Sequence, residues 1–366
     1  MTTAERVIQL DSTSAETAVS RAVACLQEGL LLIMPTETVY GVAAAADDPG
    51  AVKKLREIGR LGTAPLTWHA SSREDVLSRL GQLPRVHQRL LTKLLPGPTR
   101  FVIELDAARL GALRHDLGVE AGVIDDGVAL DVRVPMLPIV RRVLDPVDRP
   151  IVMIRLAATG IGADGGLDPR AVDLDDRIGC VLSGGGTLYA KGSTTVRLHA
   201  GGGFEIEYVG AVPESDVMEA AERILLFVCT GNTCRSPMAA ALAEGMIEQS
   251  KDDLITIESA GIATADGMSA AAEAVETMRK LGFDISGHRT RLLTRKQCAR
   301  ADAIFVMTAA HRARVLEIDP GADGKTYLLD PAGDVQDPIG LPLAAYEATA
   351  RQLRALIEQR LKELSV

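Results

Sequence analysis

At 366 residues the chain is longer than one hydrophobic core usually supports, so two domains are expected. Its 47% hydrophobic and 24% charged content suits soluble globular domains, and a net charge of −9 excludes generic attraction to nucleic acid or anionic membrane. Only 3% is aromatic, so the cores must be built from Leu, Val, Ile and Ala, and stacking platforms for single-stranded nucleic acid are excluded with them.

The chain opens on MTTAERVIQLDSTSAE, which has neither the basic start nor the apolar run of a signal peptide, and no apolar stretch is long enough to span a bilayer. A cytoplasmic protein with no membrane partner is expected. The apolar runs GLLLIMPTETVYGVA and RPIVMIRLAATG, separated by Gly-rich and Pro-rich connections, predict a mixed sheet with helices over the first two hundred residues. FEIEYVGAV follows as a strand, and an acidic stretch around Pro213 to Glu222 predicts the boundary: a first domain over 1–213, a linker over 214–222 and a second domain over 223–366.

Beyond the boundary the pattern is regular. ILLFVC predicts a buried strand, PMAAALAEGMIEQS a helix, LITIESAGI a strand, SAAAEAVETMRKLG a helix, ADAIFVMT a strand and TARQLRALIEQRLKEL a closing helix. Such alternation predicts an α/β domain with a doubly wound parallel sheet, whose ligands bind at the carboxyl ends of the strands. Cys229 ends the first of them.

Five cysteines scattered over the chain make no disulfide framework, so each is either core filler or chemistry. Cys229 and Cys234 lie in FVCTGNTCRSPM, where a buried strand runs through a short loop into Arg235, Ser236 and the first turn of a helix at Pro237. Loop amides and a helix N-terminus form an anion site, and the Arg235 fork fits two phosphate oxygens. A positive cup of that kind favours the thiolate, the attacking form of cysteine. A zinc site lacks a second ligand pair, a dinucleotide loop would need more than Gly231, and a plain buried cysteine leaves the arginine unexplained.

VCTGNTCRSP resembles the signature of the low-molecular-weight protein tyrosine phosphatases, and the likeness continues through ESAGI, HRTRLLT, ADAIFVMT and DVQDPIG over essentially all of 223–366. The resemblance implies a cysteine-dependent protein phosphatase that needs no cofactor or metal and acts on a phosphorylated protein. Cys229 would attack phosphorus, and Arg235 with the loop Thr230, Gly231, Asn232, Thr233 and Cys234 would hold the phosphoryl oxygens. Ser236 would support the thiolate, Asn232 would shape the loop, and Asp337 would serve as general acid and then base. Asp334 reads as a solvated loop residue. Cys234 reads either as a redox partner of Cys229 or as a small residue that fits the loop. Thr233 makes TGNTCRSP similar to the protein arginine phosphatases, which favours phosphoarginine over phosphotyrosine. Arsenate reduction on the same scaffold would need more relay cysteines than Cys298.

MPTETVYGVAAAADDPGAV is similar to the opening motif of the threonylcarbamoyl-AMP synthase, or YrdC-like, family, with further echoes in APLTWHA, LLPGPT, LDVRVP and GSTTVRL. The resemblance implies a twisted mixed sheet around a concave site, with ATP or AMP and L-threonine as candidate ligands. Thr36, Tyr40 and His69 fall near the threonine end of that pocket, Arg133, Ser193 and Thr195 on the nucleotide side, and Arg60 joins the pocket as the arginine of a Lys-Gly-Arg triplet. The structural alternatives are Tyr40 as core, His69 as a satisfied strand residue and Arg133 as a surface ion pair. Two family motifs are altered. The lysine of a Lys-Gly-Arg triplet is replaced by Ile58, and a Ser-Ala-Asn triplet by Arg155-Leu156-Ala157, with Lys53, Lys54 or Arg155 as substitute cations. A triphosphate needs compensating charge, so a degenerate ligand-binding or regulatory module for a nucleotide, a peptide or RNA is expected. The alternatives are a bifunctional enzyme with an active synthase, and a phosphoprotein-binding scaffold. The retention of Cys229, Arg235 and Asp337 together argues against the scaffold.

Overall fold

The computed structural model describes residues 3–159, 175–250 and 254–364, which form two compact units, Met1–Ala221 and Glu222–Val366. Among the described residues the first unit has ten strands, β1 (Val7–Gln9), β2 (Leu31–Pro35), β3 (Tyr40–Ala45), β4 (Thr67–His69), β5 (Thr99–Glu104), β6 (Ala129–Arg133), β7 (Ile151–Arg155), β8 (Ile178–Ser183), β9 (Thr194–Leu198) and β10 (Phe204–Tyr208). They make one mixed sheet in the order β1-β8-β2-β3-β7-β4-β6-β5-β9-β10. The run GLLLIMPTETVYGVA is an antiparallel pair, β2 and β3, with Leu32 opposite Ala43 and Pro35 opposite Tyr40. Both strands are buried throughout, which explains why they read as continuous apolar runs rather than alternating ones. Helices Ala15–Gln27 and Pro138–Val147 pack on this part of the sheet through Ala18, Ala22, Leu26, Val140 and Val143.

The stretch expected as a linker folds differently. Glu214–Ala221 is a helix that buries Val217 and Ala221, and its last carbonyl accepts from Arg89 Nε at 3.0 Å, so it belongs to the first unit. Val217 and Ala220 give that acidic segment an apolar side, which its composition obscured.

In the second unit β11 (Arg223–Cys229), β12 (Ile255–Gly261), β13 (Ala303–Val306) and β14 (Thr326–Leu328) form a wholly parallel sheet in the order β12-β11-β13-β14. β11 is buried along its whole length, as expected of a central strand. Helices Arg235–Ser250, Ala272–Lys280 and Leu343–Glu363 supply one apolar layer and Arg295–Arg300 and Ala309–Ile318 the other, on opposite faces of β11. This is the doubly wound arrangement the alternation predicts. It brings the loops after β11 and β13 to one sheet edge.

Candidate active site

Cys229 ends β11, and the chain turns through 230–234 into the helix Arg235–Ser250. The turn requires a left-handed residue, and Asn232 supplies it at φ 53. Its side chain holds the shape. Nδ2 donates to Ser236 Oγ at 2.9 Å and to Ser259 Oγ at 3.0 Å, while Oδ1 accepts from Arg291 N at 2.9 Å. The Asn232 carbonyl pairs with His288 Nε2 at 2.8 Å. Gly261, opposite Cys229 on β12, lets the loop pass close by: a Cβ there would lie 2.7 Å from the Thr230 carbonyl oxygen and 3.0 Å from Asn232 N.

The buried Cys229 sulfur lies 3.0 Å from Ser236 Oγ and accepts from Asn232 N at 3.3 Å. Ser236 Oγ accepts from Asn232 Nδ2, so its one proton goes either to the sulfur at 3.0 Å or to the Ala260 carbonyl at 3.4 Å, and the sulfur is the nearer of the two. Arg235 is almost wholly buried. Nη1 donates to the Val335 carbonyl at 3.1 Å, and Nη2 is paired with the Asp337 carboxylate and reaches Thr230 Oγ1 at 3.4 Å. Thr233 is half-buried with Oγ1 3.6 Å from Cys234 Sγ, and Cys234 is buried 3.7 Å from Tyr346 Oη. Burial raises the Cys234 thiol above its ordinary range. The structure thus gathers Cys229, Thr230, Asn232, Thr233, Cys234, Arg235, Ser236 and Asp337 around one cup, with Gly231 in the same loop. Cys298 packs in the layer on the other face of the sheet.

Asp334 is an exposed loop residue, as expected, and its Oδ1 also accepts from Ala309 N at 2.8 Å at the start of the helix Ala309–Ile318. His311, in the first turn of that helix, was not anticipated. Its Nε2 lies 2.8 Å from Thr230 Oγ1, and its Nδ1 is buried with no partner. Burial, reinforced by the Arg235 guanidinium, lowers His311 to about 4 and keeps it neutral.

The first unit contains a cavity of about 410 Å³ lined by Thr36, Tyr40, His69, Arg133, Ser193 and Thr195, six of the seven residues expected there. Arg155 is in the same lining. Arg60 is not. It is the left-handed cap of the helix Pro49–Gly59 and faces a separate cavity with Lys53 and Arg56, while Lys54 Nζ donates to the Gly29 carbonyl. A helix terminus, rather than the pocket, sets its direction.

The other side chains are largely committed to one another. Thr36 Oγ1 accepts from Thr38 N and Val39 N at 3.2 Å each, closing the turn between β2 and β3. Tyr40 Oη donates to the Gly185 carbonyl at 2.8 Å and accepts from Gly184 N at 3.0 Å. Arg133 makes a buried ion pair with Glu37, not a surface one, and its Nη1 donates to Thr38 Oγ1 at 3.0 Å. Arg100, a lining residue the sequence did not single out, is fixed by Asp131, with Nε to Oδ1 at 2.7 Å. His69 Nδ1 lies 3.0 Å from the Thr67 carbonyl, and burial next to Arg133 lowers the ring to about 3.

A nucleophile in a strand-to-helix loop, an arginine at the helix start and a carboxylate on a neighbouring loop define a cysteine-based oxyanion-transfer site. The family profile for low molecular weight phosphotyrosine protein phosphatase matches residues 224–366, and that for Sua5, YciO and YrdC, described as telomere recombination, matches 24–206. The protein-arginine-phosphatase of Geobacillus stearothermophilus is 35% identical over 145 residues, 38% of this chain and 95% of that protein. A probable low molecular weight protein-tyrosine-phosphatase, EpsP, of Ralstonia nicotianae is 37% identical over 134 residues, 36% of this chain and 89% of that protein. The threonylcarbamoyl-AMP synthase of Pyrococcus abyssi is 30% identical over 175 residues, 47% of this chain and 48% of that protein, so the match spans about half of that relative. The chain belongs to the low molecular weight phosphatase family over 224–366 and to the Sua5/YciO/YrdC family over 24–206.

Proposed function

We propose that the second unit is a protein phosphatase working through a phosphocysteine, with phosphoarginine preferred to phosphotyrosine. The observation that carries the reading is the contact set of Cys229: Ser236 Oγ at 3.0 Å and a loop amide at 3.3 Å, with Arg235 held at the start of the following helix. The substrate phosphoryl group takes the Arg235 fork and releases Asp337, which takes up a proton from solvent. The Cys229 thiolate attacks phosphorus, the bond to the leaving nitrogen or oxygen breaks, and Asp337 gives that atom its proton. Water then attacks the phosphocysteine, Asp337 takes its proton, and phosphate departs as the thiolate re-forms.

Thr233 supports the phosphoarginine preference, while the relatives include both arginine and tyrosine phosphatases. Cys229→Ser is expected to abolish turnover while retaining phosphate binding. With phosphoarginine and phosphotyrosine peptides of one sequence, the unaltered protein is expected to cleave phosphoarginine faster and Thr233→Ile to narrow the gap. Faster phosphotyrosine cleavage by the unaltered protein would refute the preference.

The first unit is, in the same proposal, a ligand-binding or regulatory module rather than an active synthase. Of the three arginines lining its cavity, Arg100 and Arg133 are already neutralised by Asp131 and Glu37, so the lining offers a triphosphate less charge than its arginines suggest. AMP, ATP and L-threonine are the ligands to test first, and a phosphorylated protein is the partner of the second unit.

A further inference from the structure

The β13-to-helix turn lies at the same sheet edge as the Cys229 loop, and it places one histidine against that loop. His311 is nearly fully buried, and Thr308 at the helix N-cap accepts its backbone N–H at 3.1 Å. The charged groups facing its ring are Arg235, Asp337 and Asp334. Since a neutral ring has one N–H, two arrangements satisfy the 2.8 Å contact with Thr230 Oγ1. If the threonine donated to Nε2, the proton on Nδ1 would be a buried donor with no acceptor. If Nε2–H donates to the threonine, only a lone pair is left unpartnered, which costs less. The second arrangement is therefore favoured. Thr230 Oγ1 then accepts twice, from His311 and from Arg235 Nη2, and its own proton remains unclaimed. Thr230 is exposed at the mouth of the cup, where that proton can meet a ligand.

We propose that His311 is a positioning residue: as the Nε2–H tautomer it holds the Thr230 hydroxyl beside Arg235 and reserves the threonine proton for an oxygen of the bound phosphoryl group. This rests on the phosphatase reading of the cup. His311 touches no reacting atom and acts only through Thr230.

The test measures hydrolysis of para-nitrophenyl phosphate and inhibition by inorganic phosphate in the full chain. His311→Phe and Thr230→Val are each expected to weaken phosphate inhibition about tenfold, the worth of one hydrogen bond to an anion. The double variant should lose no more than the worse single one, because both remove the same interaction. His311→Gln, whose amide nitrogen reaches the height of Nε2, should recover most of the loss, whereas His311→Asn should not. Phosphate inhibition unchanged in His311→Phe, or losses that multiply in the double variant, would overturn the proposal. If the Phe variant does not fold, the Gln and Asn variants decide it, since equal phosphate binding by the two also overturns it. Cys229→Ser separates the two claims: if it is inactive while His311→Phe is normal, only the positioning role fails, and if it still turns over, the phosphatase reading fails as well.

Discussion

Among individual residues, Asn232 shows how far local chemistry determines the cup. A left-handed residue that also donates and accepts through its side chain can bridge Ser236, Ser259 and Arg291, and glycine could supply only the backbone shape. Cys229 and Arg235 were legible because their types and spacing carry a mechanism, and Asn232 through the family resemblance. His311 was not, because a lone histidine 82 positions after the nucleophile has no spacing signal; only the turn after a neighbouring parallel strand could have pointed to it. Glu37 and Arg100 were missed because buried ion pairs leave no periodic trace. His69 gives a residue-scale prediction. Its native ring titrates at about 3 and its unfolded ring near 6.5, so the unfolded chain binds the extra proton between those values. Stability is therefore complete above about pH 6.5 and is lost as the pH falls toward about 3. Trp68, the single tryptophan, is buried next to His69 and reports this unit. Denaturant unfolding followed by its fluorescence should show stability falling from pH 7 to pH 5, with a shallower slope in His69→Gln; equal slopes would discount the histidine.

For the elements, β11 and β12 run parallel with Cys229 opposite Gly261, so the second strand is the wall against which the loop is formed. Adding one methyl group there meets backbone atoms at 2.7 to 3.0 Å, and backbone cannot rotate out of the way. Gly261→Ala is expected to lower kcat/KM at least about tenfold and to reduce the thermal midpoint, with β-sheet content unchanged by circular dichroism. A fully active variant would show that the loop can shift without cost. The long periodic helices and the central strand were legible from apolar pattern, although the closing helix begins at Leu343, six residues before the expected TARQL stretch. The strand Thr326–Leu328 and the helix Arg295–Arg300 are too short for periodicity to register. The supposed linker failed for the opposite reason: polar composition hid three apolar positions, Val217, Ala220 and Ala221, that suffice to seat a two-turn helix.

On the scale of the whole molecule, two families share one chain, and their sites have kept different amounts of free chemistry. The phosphatase loop retains nucleophile, cation and carboxylate, while in the cavity of the first unit Tyr40, Arg100 and Arg133 are already paired within the protein. Supplied with threonine, bicarbonate and ATP, the full chain is expected to release no pyrophosphate above background; steady formation of threonylcarbamoyl-AMP would overturn that assignment. The pairing of Arg235 with Asp337 bears on the other site in a different way. The cup carries its own tethered competitor, present at an effective concentration fixed by the acid loop rather than by the solution. An arriving anion is thus selected by how far it surpasses a single carboxylate, so a phosphoryl dianion can evict the tether where a singly charged ligand would merely match it. The residue proposed to complete the reaction would then also screen what enters.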